Sequence, residues 1–180
     1  MCGRYTYFPS EFADLRLRWN LDELPLLTRR YNIAPSQAAP VIVEANGKRS
    51  LEMFQWGLVA WWAKNPAIDK KMINARAETL VEKAAFKQLL RTRRCLVLAD
   101  GFYEWRKEGR RRVPMRFTLQ SREPFTFAGL WDTWKQADGR LLGTYTIITT
   151  EPNDMLRPLH NRMPAMLSHE DAVKWLTLRS

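Results

Sequence analysis

Hydrophobic and polar residues alternate along much of this chain with a period of two, the pattern of strands with one face in a core and one in water. The run PVIVEANGKRSLEMFQWGLV from Pro40 to Val59 is divided by Asn46 and Gly47, a pair suited to the positive φ angles of a tight turn, and predicts a hairpin. RYTYF near the start predicts a first strand, and CLVLA, FYEWRK, VPMRFTL, PFTFAGLW and LLGTYTIITT predict five more. Asp100 with Gly101, Gly109, Arg122 to Pro124, and Asp138 with Gly139 supply the breaks between them. Helical spacing is rarer. Ser10 is placed to cap a helix that Pro9 helps start and whose Phe12, Leu15 and Trp19 share a face. Leu80, Ala84, Leu89 and Leu90 interleave with Glu82, Lys83, Lys87 and Gln88 as an amphipathic helix over 79–91 requires. A short helix over 153–159 and a terminal helix opened by Ser168, with Asp171 in capping-box spacing, complete the elements. The order does not alternate strand and helix, so the expected class is α+β: a curled, mostly antiparallel, barrel-like sheet with a few peripheral helices. No linker, repeat or low-complexity stretch interrupts 1–180, which predicts one folded unit.

Composition narrows this further. With 46% hydrophobic residues, 27% charged residues and 8 Trp in 180 residues, the chain has the means to bury a core and does not resemble a disordered segment. No apolar run approaches the roughly 20 residues that span a bilayer, and no secretory signal opens the chain, so a soluble intracellular protein with no membrane partner is expected. The 2 cysteines, Cys2 and Cys95, are then read as thiols, Cys95 as core in a buried strand. With no CxxC pair and only His160 and His169 as histidines, neither a metal nor another cofactor is expected, and His169, just past the Ser168 cap, is assigned to the surface.

The net charge of +10 is unevenly spread, with 15 Lys and Arg against 6 Asp and Glu in residues 61–120 and near balance on either side. Clusters at Arg91, Arg93, Arg94 and at Arg110, Arg111, Arg112 favour a polyanionic partner, and the lack of a basic amphipathic helix turns that expectation from membrane toward nucleic acid.

Against this background the opening MCGRY stands out. Removal of Met1 would leave Cys2 with an amine and a thiol on adjacent carbons, groups whose ordinary pKa values of about 8 and 8.5 keep both within reach of their nucleophilic forms near neutrality. Such a pair captures an aldehyde as an imine and closes to a five-membered thiazolidine; an N-terminal nucleophile also suits attack on an amide. The first residues do not choose between these, and a plain buried Cys2 fits them too. Asn74, Arg76 and Glu78 alternate in MINARAET and would share one side of an extended segment. Glu104 lies among Phe102, Tyr103 and Trp105, where a carboxyl tends to have its pKa raised into the range of a general acid, unless it simply faces solvent. His160 sits in a loop stiffened by Pro158 and Pro164 and is suited to proton transfer. Trp61 and Trp62 fit either the core or a stacking platform for unpaired bases, with room for one to be buried and its neighbour exposed, and Arg4, two residues from Cys2, is placed to hold a phosphate.

With MCGRY, RYNIAPSQ, WGLVAWW, INARAET, ADGFYEW and HNRMPA in this order, the chain resembles the SRAP family, the SOS response-associated peptidase domain proteins. The resemblance implies a compact α+β domain with a positively charged DNA channel. It also implies covalent capture of abasic sites in single-stranded DNA, by a monomer in the cytoplasm at a bacterial nucleoid or in a eukaryotic nucleus. Residue by residue it implies Cys2 as the crosslinking group, Asn74 orienting the opened sugar, Glu104 moving protons, and His160 assisting ring opening and slow reversal. It further implies Arg4, Arg76 and Arg162 on phosphates, Trp61 or Trp62 beside the bases, and Asn32 and Pro35 shaping the pocket floor. The chemistry would be lyase-like and free of metal. Two other classes stay open at this point: a cysteine peptidase or autopeptidase using Cys2, although no oxyanion-hole motif is recognisable, and a noncovalent single-strand binder.

Overall fold

The computed structural model describes residues 2–8, 12–24, 27–63 and 72–177. The proposed cap at Ser10 with Pro9, the side chain of Phe12, and residues 64–71 lie outside the described residues. The strands are β1 (Tyr5–Tyr7), β2 (Arg30–Ile33), β3 (Ala38–Ala45), β4 (Lys48–Trp56), β5 (Asn74–Arg76), β6 (Arg94–Ala99), β7 (Gly101–Glu108), β8 (Arg111–Phe117), β9 (Phe125–Lys135), β10 (Leu141–Thr150), β11 (Met163–Pro164) and β12 (Met166–Leu167). Three helices accompany them: α1 (Phe12–Trp19), α2 (Ala84–Thr92) and α3 (His169–Thr177).

Asn46 and Gly47 take φ angles of 53° and 75°, so the β3–β4 hairpin turns where the Asn-Gly pair predicts. From this hairpin the sheet curls until it meets itself. β3 pairs β6, β6 pairs β9, β9 pairs β10, and β10 returns to β4. The ring leaves none of these five strands with two free edges, which removes the liability of an open sheet. Among the described residues the pairings of β10 with β4 and β5 are parallel and the other strand pairings antiparallel. The α+β barrel expected from the pattern is therefore the fold.

Inside the ring and under β1, Tyr5, Trp56, Phe102, Phe127, Tyr145, Ile42, Leu96 and Ile147 are fully buried, each contributing about 1.5–3 kcal/mol of transfer free energy. Their polar atoms find partners: the Tyr5 and Tyr145 hydroxyls are 2.7 Å apart, and the Trp56 indole donates to the Ile73 carbonyl at 2.8 Å. Cys95 is core, as expected.

A second sheet, ordered β2-β1-β7-β8, lies beside the barrel. The chain passes to it at Asp100, which does not fold β7 back on β6 but turns a corner, its backbone N–H bonded to the Thr6 carbonyl at 3.0 Å. Thr6 donates to the Asp100 carboxylate, which also meets Arg116 at 3.2 Å. Gly101 leaves room for the Arg116 guanidinium, since a Cβ would lie 2.8 Å from Arg116 Nε and force it aside.

Two helix expectations need correction. α2 begins at Ala84, not Thr79: residues 77–79 form a 3-10 turn and Lys83 is extended, after which Phe86 and Leu89 enter the core. Residues 153–159 form consecutive turns instead of a helix; Arg157 N–H bonds Asn153 O at 2.9 Å, but Pro158 has no N–H to continue the ladder. α3 matches its prediction, with Ser168 Oγ accepting the Asp171 N–H at 3.1 Å and donating to its carboxylate at 2.7 Å. Among the described residues no helix is long and apolar enough to cross a membrane.

Candidate active site

Cys2 reaches its place because β1 pairs with β7. Tyr5 faces Phe102, and the Tyr103 N–H donates to the Arg4 carbonyl at 2.9 Å, so the chain leading into β1 runs beside β7. From the other side Asn74, carried on β5 against Ile147 of β10, donates its Nδ2–H to the Cys2 carbonyl at 3.0 Å. Its Oδ1 is buried and accepts no hydrogen bond among the described residues. The Cys2 side chain is fully buried, with Sγ 3.8 Å from the Arg4 carbonyl. Burial, and after it the negative charge of Glu104, push the Cys2 thiol up to about 12, so the sulfur is held as a thiol at neutral pH.

Glu104 is 4% exposed, settling its orientation away from bulk solvent. Together with Trp105, Lys107, Arg112, Leu159, His160 and Asn161 it lines a cleft of about 410 Å³, along the part of β7 that runs on past Cys2. The Nδ1 of His160 accepts the Arg162 backbone N–H at 3.0 Å, so a neutral ring carries its proton on Nε2. The 160–162 loop is itself anchored. The Arg162 guanidinium donates to both oxygens of Glu78, at 2.8 and 2.9 Å, and to the Thr149 carbonyl.

The structure thus brings Cys2, Asn74 and Glu104 together, and joins Glu104 to His160 across one cleft. Glu78 does not share an extended side with Asn74 and Arg76, because the chain enters the 3-10 turn at Ala77; it turns to Arg162 instead, while Arg76 is exposed. Arg162 is accordingly committed to Glu78 and Thr149 before any phosphate arrives. Arg4 is half-buried, one nitrogen on the Gly3 carbonyl at 3.0 Å. Trp61 and Trp62 are both exposed, at 66% and 48%, so neither is core. Their rings meet edge to face at 5.6 Å, and the turn that holds them is clipped to β9 by Asp132, which accepts the Trp61 N–H, and by Trp134, which donates to the Ala63 carbonyl at 2.8 Å. Asn32 is exposed and Pro35 half-buried, and neither lines the cleft of Glu104 and His160. His169 is exposed as expected, its ring 4.8 Å from Trp19. Sequence reasoning missed Lys107 and Arg112 as cleft residues, though they face each other across the β7–β8 hairpin and a strand register for YEWRKEGRRRVPM would have paired them.

Fold and site define a class: an α+β barrel that buries a cysteine beside a carboxamide and a carboxyl, the carboxyl sharing a cleft with an imidazole. The chain belongs to the family of SOS response associated peptidase (SRAP) proteins, whose model matches residues 1–180. It is 44% identical over 180 residues to the abasic site processing protein YoqW of Bacillus subtilis (strain 168), a match covering 98% of this chain and 80% of that protein. It is 32% identical over 177 residues to the abasic site processing protein HMCES of Xenopus tropicalis, covering 81% of this chain and 53% of that longer protein. A crystal structure of a protein from Bacteroides thetaiotaomicron superposes with a TM-score of 0.88 at 27% identity, covering 98% of this chain and 81% of the other.

Proposed function

We propose that this chain processes abasic sites by capturing the ring-opened sugar aldehyde in single-stranded DNA on Cys2, after loss of Met1, as a thiazolidine. Kinship with proteins named for abasic-site processing supports the substrate, and one geometric observation carries the chemistry: Cys2 is buried against the charge of Glu104 while Asn74 holds its carbonyl. The amine adds first, because the sulfur is held protonated. Nitrogen bonds the aldehyde carbon, water leaves, and an imine results. The thiol then adds to the same carbon, its proton passing through the Glu104 carboxylate to the nitrogen; aldehyde and aminothiol give thiazolidine and one water.

His160 lines the cleft, where its ring hydrogen-bonds the sugar oxygen during opening and, in reverse, assists slow release. The unoccupied acceptor of Asn74 takes a sugar hydroxyl. Exposed Arg76 and the Trp61–Trp62 turn hold phosphates and bases outside the pocket, and the domain acts as a monomer. A thiol pushed up by burial is a poor peptidase nucleophile, which works only as thiolate, so hydrolysis is the weaker reading.

The test is a denaturing gel. Protein shown by mass spectrometry to lack Met1 is mixed with single-stranded DNA bearing one abasic site, and a shifted band is expected. Cys2→Ala, or a borohydride-reduced sugar, should give none. A band in either control, or linkage mapped to a lysine, would overturn the proposal.

A further inference from the structure

The second sheet has an outer face that the capture chemistry does not use. Residues directly opposite in an antiparallel pair share a face. The register of β7 with β8 therefore groups Tyr103 with Arg116, Trp105 with Pro114 and Lys107 with Arg112, while the register of β1 with β7 adds Arg4 and Thr6. The carboxylates of β7, Glu104 and Glu108, lie on the opposite face by the same alternation, and no acidic side chain of β1, β7 or β8 shares the outer one. Arg4, Lys107, Arg112 and Arg116 do.

At the far edge the pairing of β1 with β2 is bulged: Tyr5 faces Ile33 but Tyr7 faces Arg30, so Tyr31 and Asn32 both stand against Thr6. A bulge of this kind re-aims side chains. Both are exposed, Tyr31 at 58%, while Ile33 is fully buried. The Tyr31 ring rests 4.7 Å from that of Phe8, which carries the Arg116 guanidinium at 5.0 Å on its other contact, and the Tyr103 hydroxyl donates to the Tyr31 carbonyl at 3.3 Å. Asp100 takes one arm of Arg116 and fixes the stack. The face thus runs from Trp105, Lys107 and Arg112, which line the cleft, to Tyr31, about 14 Å across the four strands and about 20 Å along them, since Tyr31 stands level with Gly101, six residues from Lys107.

We propose that this face is a track for the single-stranded flank of the DNA leaving the cleft, with phosphates on Lys107, Arg112 and Arg116 and a base stacked on Tyr31. Charge complementarity selects a polyanion, and the exposed Tyr31 ring at the end of the cations, with half-buried Trp105 among them, selects one with unpaired bases. The proposal rests on the lesion-capture reading for which strand enters the cleft, and its test has two independent arms.

In the first, binding of an undamaged single-stranded oligonucleotide is followed by fluorescence anisotropy across salt concentrations. Tyr31→Ala weakens binding about tenfold, Tyr31→Phe restores it, and Lys107→Gln and Arg112→Gln each flatten the slope of log affinity against log salt by about 0.7. In the second, crosslinking rates are compared for abasic-site oligonucleotides extended on the 5′ side, on the 3′ side, or on neither. Tyr31→Ala slows the reaction on one extended substrate and leaves the unextended one at the wild-type rate. Equal loss on all three substrates, or wild-type affinity with unchanged salt slopes in all the variants, overturns the track. Should wild type form no crosslink at all, lesion capture fails while the anisotropy arm still decides the surface.

Discussion

Replacing Glu104 by Gln sets two effects of one carboxylate against each other. Its charge holds the Cys2 thiol up, second only to burial, to about 12. At pH 7 the thiolate is then about one part in 10⁵, so ring closure depends on a base that takes the proton as sulfur adds. Removing the charge lowers the thiol pKa, and each unit of that fall enriches thiolate about tenfold. Removing the base costs about 10²–10⁴ in rate. The second effect wins: single-turnover crosslinking at pH 7 is expected to fall about 10- to 10³-fold, and the deficit to narrow as pH rises and hydroxide replaces the carboxylate. Rates come from denaturing gels over a pH series, and the thiol is titrated by its thiolate absorbance in a Cys95→Ala background. A Gln variant with a lowered thiol pKa that crosslinks at or above the wild-type rate would show that Glu104 acts only through its charge. A deficit independent of pH would also refute the base.

Three further outcomes follow from the same geometry. Asn74→Ala removes the hydrogen bond that fixes the Cys2 carbonyl and is expected to slow crosslinking by up to about tenfold, with unchanged kinetics counting against a positioning role. Burial raises the pKa of Cys2, Cys95, Tyr5 and Tyr145, so the folded chain keeps protons that the unfolded chain sheds above the ordinary values of 9.0 and 10.0. Stability is present in full below pH 9 and is lost progressively as pH rises from 9 toward the raised folded values, about 12 for Cys2, which calorimetric Tm values will register; a flat profile above pH 9 would contradict the buried thiols and phenols. Ser168→Ala deletes the cap of α3 at a cost of about 1 kcal/mol. Tm should drop about 2–4 °C with no change in crosslinking rate, and a large rate effect would mean that α3 does more than pack.

How much of this was legible beforehand varies from residue to residue. Asn46-Gly47 and Ser168 with Asp171 carry their geometry in their own side chains and neighbours, and both elements form where local chemistry predicts. The helix over 79–91 was placed too early because its apolar spacing resembles that of the preceding turn, in which Leu80 is buried without being helical. Trp61 and Trp62 gave no sign of which faces outward, since burial depends on what Asp132 and Trp134 do some 70 residues later in the chain. Lys107 and Arg112 looked like an ordinary basic turn until hairpin register set them on one face.

By itself the sequence determined not the short β2, β11 and β12 but the five strands of the ring and β1, β7 and β8, their turns, the class of fold and the chemical types gathered at the islands that mark the family. Those depend on period-two alternation, turn residues and reactive groups, all properties of short segments. Only the tertiary structure decided that the sheet closes through β9 and β10, that Asn74 meets Cys2 from 72 residues away, and that Glu104 is buried facing the thiol. The reason is that strand pairing and desolvation are set by partners distant in the chain, and no local pattern specifies which distant edge, or which charge, will arrive.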